Sequence, residues 1–562
     1  MGPKHFALVL HSHIPFVVGH GTWPHGMDWL NEAAAESYLP LLSVLQRLIS
    51  EGVSPRITIG FTPVLAEQLK MPAFGDGFSA YLRMKLDAAR ADASHFIKTG
   101  NSVLLELAHY WERWYERIAR QFLEDCRGDI LAGFKALQDE GHIEILTSAA
   151  THGYFPLLSE DKSIAYQVRQ GRLTYRRHFG REAKGFWLPE CAYRPGYRWT
   201  APFGPKKTEE RKGIDVLLAQ EGIDHFFVPT HLLRGGSARG VYEERFPALR
   251  FLWDKARVGE NSGEKKDVAA RSPYSAYRVS PSSVSILARD EVSGRQVWSR
   301  NMGYPGDGGY LEFHKKHFPG GLRYWRITSD QADLALKEPY APERIAERLE
   351  SQSSHFVQLL EGTLRDDGRR VAAALFDTEL LGHWWFEGPE WLYLVLKKLD
   401  KSPIRSATAG RSLEELPPGE LISLPEGSWG EGGFHSVWLN KDTAWIWEKV
   451  YEVEGRAFRV DSTTAGRNPR LVKQLMREKF LLESSDWPFL VSTRTAKDYA
   501  ENRAAEHFDR ARTLCDWLDR SAALSSPEEA LLAAWETEDC LFPEVIGLDG
   551  ETLGREHRGD KP

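Results

Sequence analysis

The feature that most restricts what this chain can fold into is a recurring unit, in which a short apolar, β-rich run stops abruptly and a segment long enough for a helix follows. Seven such runs occur, at Phe6–Leu10, Arg56–Gly60, His142–Leu146, Phe186–Leu188, His225–Val228, Val284–Ala288 and Val371–Phe376. Uninterrupted apolar strands need cover on both faces, and helical crossovers supply it, which makes the sheet parallel. Most of the runs empty into a histidine, an acid or an arginine: His11-Ser12-His13, Thr151-His152-Gly153, Glu190, Thr230-His231, Arg289-Asp290 and Asp377. Chemistry-bearing residues at equivalent strand ends predict an α/β chain folded as a (β/α)7 barrel, an incomplete TIM-like barrel, with its site at the C-terminal mouth.

Two of those ends stand out. Pro189 cannot donate to a sheet ladder, so the strand before it ends there and delivers Glu190 to the mouth. Glu190 then sits among Trp187, Cys191 and Tyr193, where poor hydration favours the protonated acid unless a donor compensates; Arg194 is the nearest candidate in sequence. A surface ion pair is the competing reading, and a partner elsewhere must decide. Val371–Gly388 repeats the pattern, an apolar run ending in Asp377 followed by turn residues and aromatics. Two acids delivered into one aromatic cleft suit cleavage of a glycosidic bond: one carboxylate attacks the anomeric carbon while the other moves the proton, across a gap of roughly 5 to 5.5 Å.

The connections read as helices. Glu32–Ser50, Asp161–Phe179, Pro342–Gly362 and Glu390–Lys398 carry apolar residues at helical spacing. Residues 71–138 exceed what one crossover needs and form a helical excursion. Pro202–Lys212 reads as a surface loop, and the region 231–280, with Arg257–Pro273 at its centre, as a mobile loop. The chain's 562 residues exceed one ordinary domain. A Ser/Pro/Gly-rich stretch from Lys401 to Gly419 divides a catalytic barrel, 1–400, from an all-α domain, 401–545, with a frayed tail at 546–562.

Composition removes several function classes. A net charge of −7 without like-charge runs gives no face for nucleic acid. Neither a signal segment nor a membrane span is visible, which predicts a soluble cytoplasmic protein, with a monomer the favoured state. Four scattered cysteines match neither a disulfide scaffold nor a zinc site and are expected to be reduced. His11, His13 and His152 could hold a metal, but such triads usually bring an acid at close spacing; they are read as hydrogen-bonding groups beside the carboxylates, with no metal and no cofactor. Gly303–Gly309 lacks the ending of a phosphate loop. The chain has 19 tryptophans; Trp429 and Trp438, flanking Gly430-Glu-Gly-Gly433, read more as a lid over the mouth than as core.

Six motifs carry a resemblance: His11-Ser-His-Ile-Pro15, Trp23-Pro-His-Gly26 with Trp29, Ala150-Thr-His-Gly-Tyr154, Trp187-Leu-Pro-Glu-Cys-Ala-Tyr193, Asp377-Thr-Glu-Leu-Leu-Gly-His-Trp384, and Ser428-Trp-Gly-Glu-Gly-Gly433 with Val437-Trp-Leu-Asn440. In order and spacing they resemble glycoside hydrolase family 57, and most of all its 1,4-α-glucan branching enzymes. The resemblance implies a (β/α)7 barrel with a helical C-terminal domain and a retaining mechanism without metal. It implies Glu190 as nucleophile and Asp377 as general acid/base, and an α-1,4-glucan as both donor and acceptor. Arg289, Gly306, Trp429 and Asp486 fall where the family binds glucan, and His11, His13, Trp29, His152, His383 and Trp438 are the further substrate-binding candidates. The sequence departs from the pattern where relatives place Gly-Gln after a threonine; here Thr493 is followed by Arg494 and Thr495. A loop tyrosine that covers the site in branching enzymes has three candidates here, Tyr242, Tyr274 and Tyr277.

Overall fold

The seven apolar runs are seven strands: β1 His5–Ser12, β2 Ile57–Phe61, β3 Ile143–Ser148, β4 Gly185–Trp187, β5 His225–Val228, β6 Ser285–Ala288 and β7 Val371–Asp377. The structure, a computed structural model, describes residues 2–203, 208–234, 271–299, 302–329, 331–366, 368–520 and 522–554. The strands pair in parallel in the order β7-β1-β2-β3-β4-β5-β6, so strands consecutive in sequence are neighbours in the sheet. All eight residues of β1 are buried, as expected for a strand covered on both faces. Between β6 and β7 the described residues make a single bridge, Arg289 to Ala373, with the Asp290 amide donating to the Ala373 carbonyl at 2.7 Å. The barrel is therefore incomplete, and the other side of β6 pairs with Tyr277–Val279 instead.

Helices stand where the periodicity put them, at Asp161–Phe179, Ile345–Thr363 and Gly388–Leu399. The excursion is an antiparallel pair, Pro72–Thr99 against Ser102–Arg120, followed by Ile130–Asp139. The first crossover starts earlier than its apolar spacing indicated, at Met27, and contains a π turn at Ala34–Tyr38.

Three boundaries differ from the sequence reading. Pro202–Lys212 is not only a loop: Thr208–Arg211 pairs antiparallel with Tyr197–Thr200, because the Arg211 guanidinium is tied to Asp161 at 2.6 Å and to the Leu158 carbonyl at 3.0 Å. The barrel does not end at residue 400. Arg405–Ser406 pairs with β1, and Glu420–Ile422 pairs with Tyr277–Val279, so backbone hydrogen bonding holds this Ser/Pro/Gly-rich stretch against the sheet. The tail does not fray from residue 546 either; Val545–Ile546 pairs with Thr552–Leu553, and the Gly550 carbonyl accepts from Arg169 at 2.9 Å. Most of the region expected to be mobile, 235–270, lies outside the described residues.

Helices Ala444–Ala457, Pro469–Leu482, Asp486–Thr493, Lys497–Arg520 and Ser526–Glu538 form the C-terminal part. Its contact with the barrel is polar as well as apolar. Lys479, fully buried, donates to Glu483, and Glu483 accepts from Gln167 at 2.8 Å. Glu454 accepts from the Ser159 amide and hydroxyl at 2.9 and 2.5 Å. This contact brings Ser485 and Asp486 to the barrel mouth.

Candidate active site

Parallel register places the first site residues side by side: His11 on β1 is the partner of Asp377 on β7, and Ser148 on β3 is the partner of Trp187 on β4. Beyond the strand ends the backbone turns sharply. Glu190 has φ of +60° and His152 of +59°, left-handed conformations that non-glycine residues avoid and that persist where surrounding structure imposes them. Glu190, Asp377, His11, His13, Trp29, His152, His383, Trp429 and Asp486 all line one cleft of about 490 Å³. That volume suits a few sugar units, and its walls are aromatic: Trp23, Trp29, Trp298, Phe313, Trp384 and Phe489. A larger groove of about 920 Å³ on the outer helices contains neither acid, so size alone does not mark the site.

Glu190 is held by two donors. The Trp429 indole N–H donates to its Oε2 at 2.8 Å, and the Ser485 hydroxyl donates to its Oε1 at 3.1 Å. Arg194 does not serve; its guanidinium turns toward the Pro195 carbonyl and Asp161, 3.3 and 3.8 Å away, because the backbone twists at Glu190 and Cys191. Burial pushes the Glu190 carboxyl up to about 7; the Trp429 hydrogen bond opposes this, while the charges of Asp377 and Asp486 add to it. The charge of Asp377 is thus felt at Glu190.

The three histidines are a hydrogen-bonded stack. His11 lies on Trp187 with ring centroids 4.5 Å apart, and His13 lies on His152 at 4.1 Å. Both nitrogens of His13 are engaged, Nδ1 with Thr62 at 3.0 Å and Nε2 with Asp486 at 2.9 Å. Burial works against a charged His13, but Asp486, Glu379 and Glu190 outweigh it and raise its pKa. His11 and His152 go the other way, held neutral by burial and by the His13 charge. The network fixes their tautomers: His11 Nε2 donates to His152 Nε2 at 3.0 Å, His152 Nδ1 donates to Ser485 at 2.8 Å, and Ser485 donates to Glu190.

Three implied positions stand elsewhere. Trp438 is buried to 1% and stacks on Tyr154 at 4.4 Å, so it is not a lid; it packs beneath Gly430, where an added Cβ would meet its ring at 2.5 Å. Arg289 stands 5.4 Å over the Trp429 ring and braces it from behind. Gly306 is an exposed residue of the turn Tyr304–Gly306, outside the cleft lining. Among the tyrosine candidates, Tyr274 donates to Asp290 at 3.0 Å and Tyr277 to the Ser272 carbonyl at 2.8 Å, both buried; Tyr242 lies outside the described residues. Thr495 lines the cleft.

Sequence reasoning missed Ser485 and Glu379. Glu379 accepts from the Tyr38 hydroxyl at 2.5 Å and the His13 amide at 3.1 Å, and burial raises it to about 7. Its place two residues beyond Asp377 was the available signal. Ser485 offered only its position beside Asp486.

The Trp429 hydrogen bond gives a direct test. Trp429→Phe keeps an aromatic ring but removes the donor that stabilises ionised Glu190, so the Glu190 pKa rises. The acid limb of kcat/KM, set near pH 7 by this group, is expected to move to higher pH by about one unit, and the rate at pH 6 to fall about tenfold relative to wild type. A pH–rate profile of both proteins checks it.

Comparison with known proteins agrees with this geometry. The profile of glycosyl hydrolase family 57 matches residues 7–425, and that of the 1,4-alpha-glucan branching enzyme C-terminal region matches residues 450–546. A 1,4-alpha-glucan branching enzyme of Thermococcus kodakarensis is 40% identical over 97% of this chain and 78% of its own length. The crystal structure of that family 57 branching enzyme superposes with a TM-score of 0.87 at 39% identity, over 96% of this chain and 95% of the other. The branching enzyme of Pyrococcus horikoshii follows at 0.83 and 36%, with coverage of 96% and 95%. The α-amylase AmyC of Thermotoga maritima gives 0.79 and 27%, with 99% of each chain covered. With a seven-stranded incomplete barrel, paired acids at its mouth and a family profile spanning most of its length, the chain belongs to glycoside hydrolase family 57.

Proposed function

We propose that the chain is a 1,4-α-glucan branching enzyme of glycogen biosynthesis, acting in the cytoplasm on α-1,4-glucan as donor and acceptor. The observation that carries this reading is the placement of Glu190 and Asp377 in one aromatic cleft, combined with the match to a branching-enzyme C-terminal region. Glu190 attacks the anomeric carbon, and Asp377 protonates the leaving glucan oxygen. The C–O bond of the α-1,4 linkage breaks and a glycosyl ester forms on Glu190. A 6-hydroxyl of the acceptor then attacks the same carbon, Asp377 takes its proton, and the ester bond breaks with net retention. Ser485 and Trp429 stabilise the Glu190 carboxylate each time it is released. The net charge of −7 supports a neutral polymer rather than nucleic acid as partner, and no described helix is long and apolar enough to cross a membrane.

A hydrolytic reading draws on Thr495, which stands in the cleft where a glucan-binding glutamine was expected and leaves more room for water. Linkage analysis of amylose products separates the two. Branching is expected to raise α-1,6 linkages with at least about tenfold fewer new reducing ends than branches; reducing ends without branches would establish hydrolysis.

A further inference from the structure

The cleft wall beside Asp377 holds a second polar assembly that the chemistry above does not use. His383 Nδ1 lies 2.8 Å from Glu36 Oε2, and the Arg323 guanidinium donates to Glu36 Oε1 at 2.8 Å and to the His383 carbonyl at 3.3 Å. The His383 amide donates to Ser37 at 3.1 Å. Glu36 and Arg323 are buried, whereas His383 lines the cleft. The backbone is shaped to this contact. Glu36 belongs to the π turn Ala34–Tyr38, a widened turn that is frequent at functional sites, and Gly382 backs directly onto it. With φ of +111°, a Cβ at Gly382 would come within 1.8 Å of the Glu36 carbonyl oxygen.

This arrangement dictates which ring nitrogen carries the proton. Arg323 keeps Glu36 ionised, overcoming the effect of burial, so its Oε2 can only accept and His383 Nδ1 must donate. In a neutral ring the lone pair is then on Nε2, across the ring from Glu36, and the ring lines the cleft. We propose that His383 Nε2 accepts a hydrogen bond from a hydroxyl of the incoming acceptor glucan, and that Glu36 and Arg323 are positioning residues that fix His383 in this tautomer. The proposal rests on the glucan-transfer reading. His383 follows Asp377 on the same segment, Thr378–Leu380 forming the turn between them, and Asp377 contacts the oxygen that leaves and the oxygen that replaces it. In that step the acceptor oxygen bonds to the anomeric carbon, the ester to Glu190 breaks, and the proton passes to Asp377. A water molecule attacking instead has no sugar ring for His383 to hold, so loss of this contact lowers transfer more than hydrolysis.

The test is the ratio of transfer to hydrolysis, with the KM for a maltooligosaccharide acceptor. His383→Phe keeps the ring volume and leaves the Glu36–Arg323 pair intact. In Glu36→Gln, Arg323 claims the amide oxygen, the amide nitrogen faces Nδ1, and the tautomer reverses. Each variant is expected to lower the ratio about tenfold and raise the acceptor KM in proportion, and the double variant to fall no further than His383→Phe. In 15N-histidine spectra the proton is expected on Nδ1 of His383 in wild type and on Nε2 in Glu36→Gln. A ratio within twofold of wild type in His383→Phe, or equal losses of transfer and hydrolysis in Glu36→Gln, would overturn the proposal. Should wild type form no transfer product, the transfer reading fails separately, and the 15N measurement still decides whether Glu36 sets the tautomer.

Discussion

Glu190→Gln is expected to lower the rate of glycosidic cleavage about 10⁴-fold or more while leaving the fold intact, because the amide cannot form the glycosyl ester. The local geometry accommodates the change. A glutamine oxygen can accept from the Trp429 indole, and its amide nitrogen can donate to Ser485, whose hydroxyl accepts as well as donates. Stability should move in the opposite direction to activity. The folded Glu190 pKa, about 7, lies above its ordinary value, so the folded state holds the proton more tightly and stability contributed by the neutral acid is lost as pH rises from about 4.5 to 7. Glutamine does not ionise. The variant is therefore expected to be more stable than wild type by up to about 3 kcal/mol at pH 8, with the gain vanishing below pH 4.5. Denaturant unfolding at both pH values, beside assays on amylose, checks both halves. Cleavage equal to wild type would remove Glu190 from the reaction; equal stability at both pH values would mean that its carboxylate is better solvated than its surroundings imply.

Lys479→Met is expected to destabilise the protein by about 3–5 kcal/mol, although the site is far from the cleft in chemical terms. Lys479 and Glu483 are 0% and 1% exposed, and Glu454 is also fully enclosed. Removing the ammonium leaves two buried carboxylates without a counter-charge. Burial and the neighbouring Glu483 charge already raise the Glu454 pKa, with Lys479 opposing them, so the variant's Glu454 carboxyl is pushed further up. The folded Glu454 pKa then stands further above the unfolded one, and the loss of stability is expected to grow as pH rises and to shrink toward pH 5. Adding Glu483→Gln and Glu454→Gln should recover most of it, since replacing a whole buried ionic group costs far less than breaking one. Urea unfolding of the single and triple variants measures this. Activity should fall as well, because Ser159 and Gln167 anchor these carboxylates to the barrel and Ser485 follows Lys479 into the cleft.

What could be read without coordinates follows from periodicity and punctuation. Seven apolar runs with helical spacers admit little besides a parallel barrel, and Pro189 and the end of the Val371–Phe376 run placed both acids at its mouth, because strand ends are local events. Errors arose where local composition is ambiguous. Ser/Pro/Gly-rich residues 401–419 looked like a linker, yet Arg405–Ser406 and Glu420–Ile422 hydrogen-bond to barrel strands, a decision made by partners distant in sequence.

Sequence alone thus determined the fold class and the strand ends, and it singled out two acids that stand in one cleft, since each depends on residues close together along the chain. Only the tertiary structure decided what surrounds those acids: that Glu190 draws its donors from Trp429 and Ser485 rather than from Arg194, that Trp438 is packing rather than a lid, and that Glu36 and Arg323 back His383. The reason is physical. A carboxylate's charge state is set by desolvation and by charges within a few ångströms, and those neighbours are supplied by segments that folding, not sequence proximity, brings together.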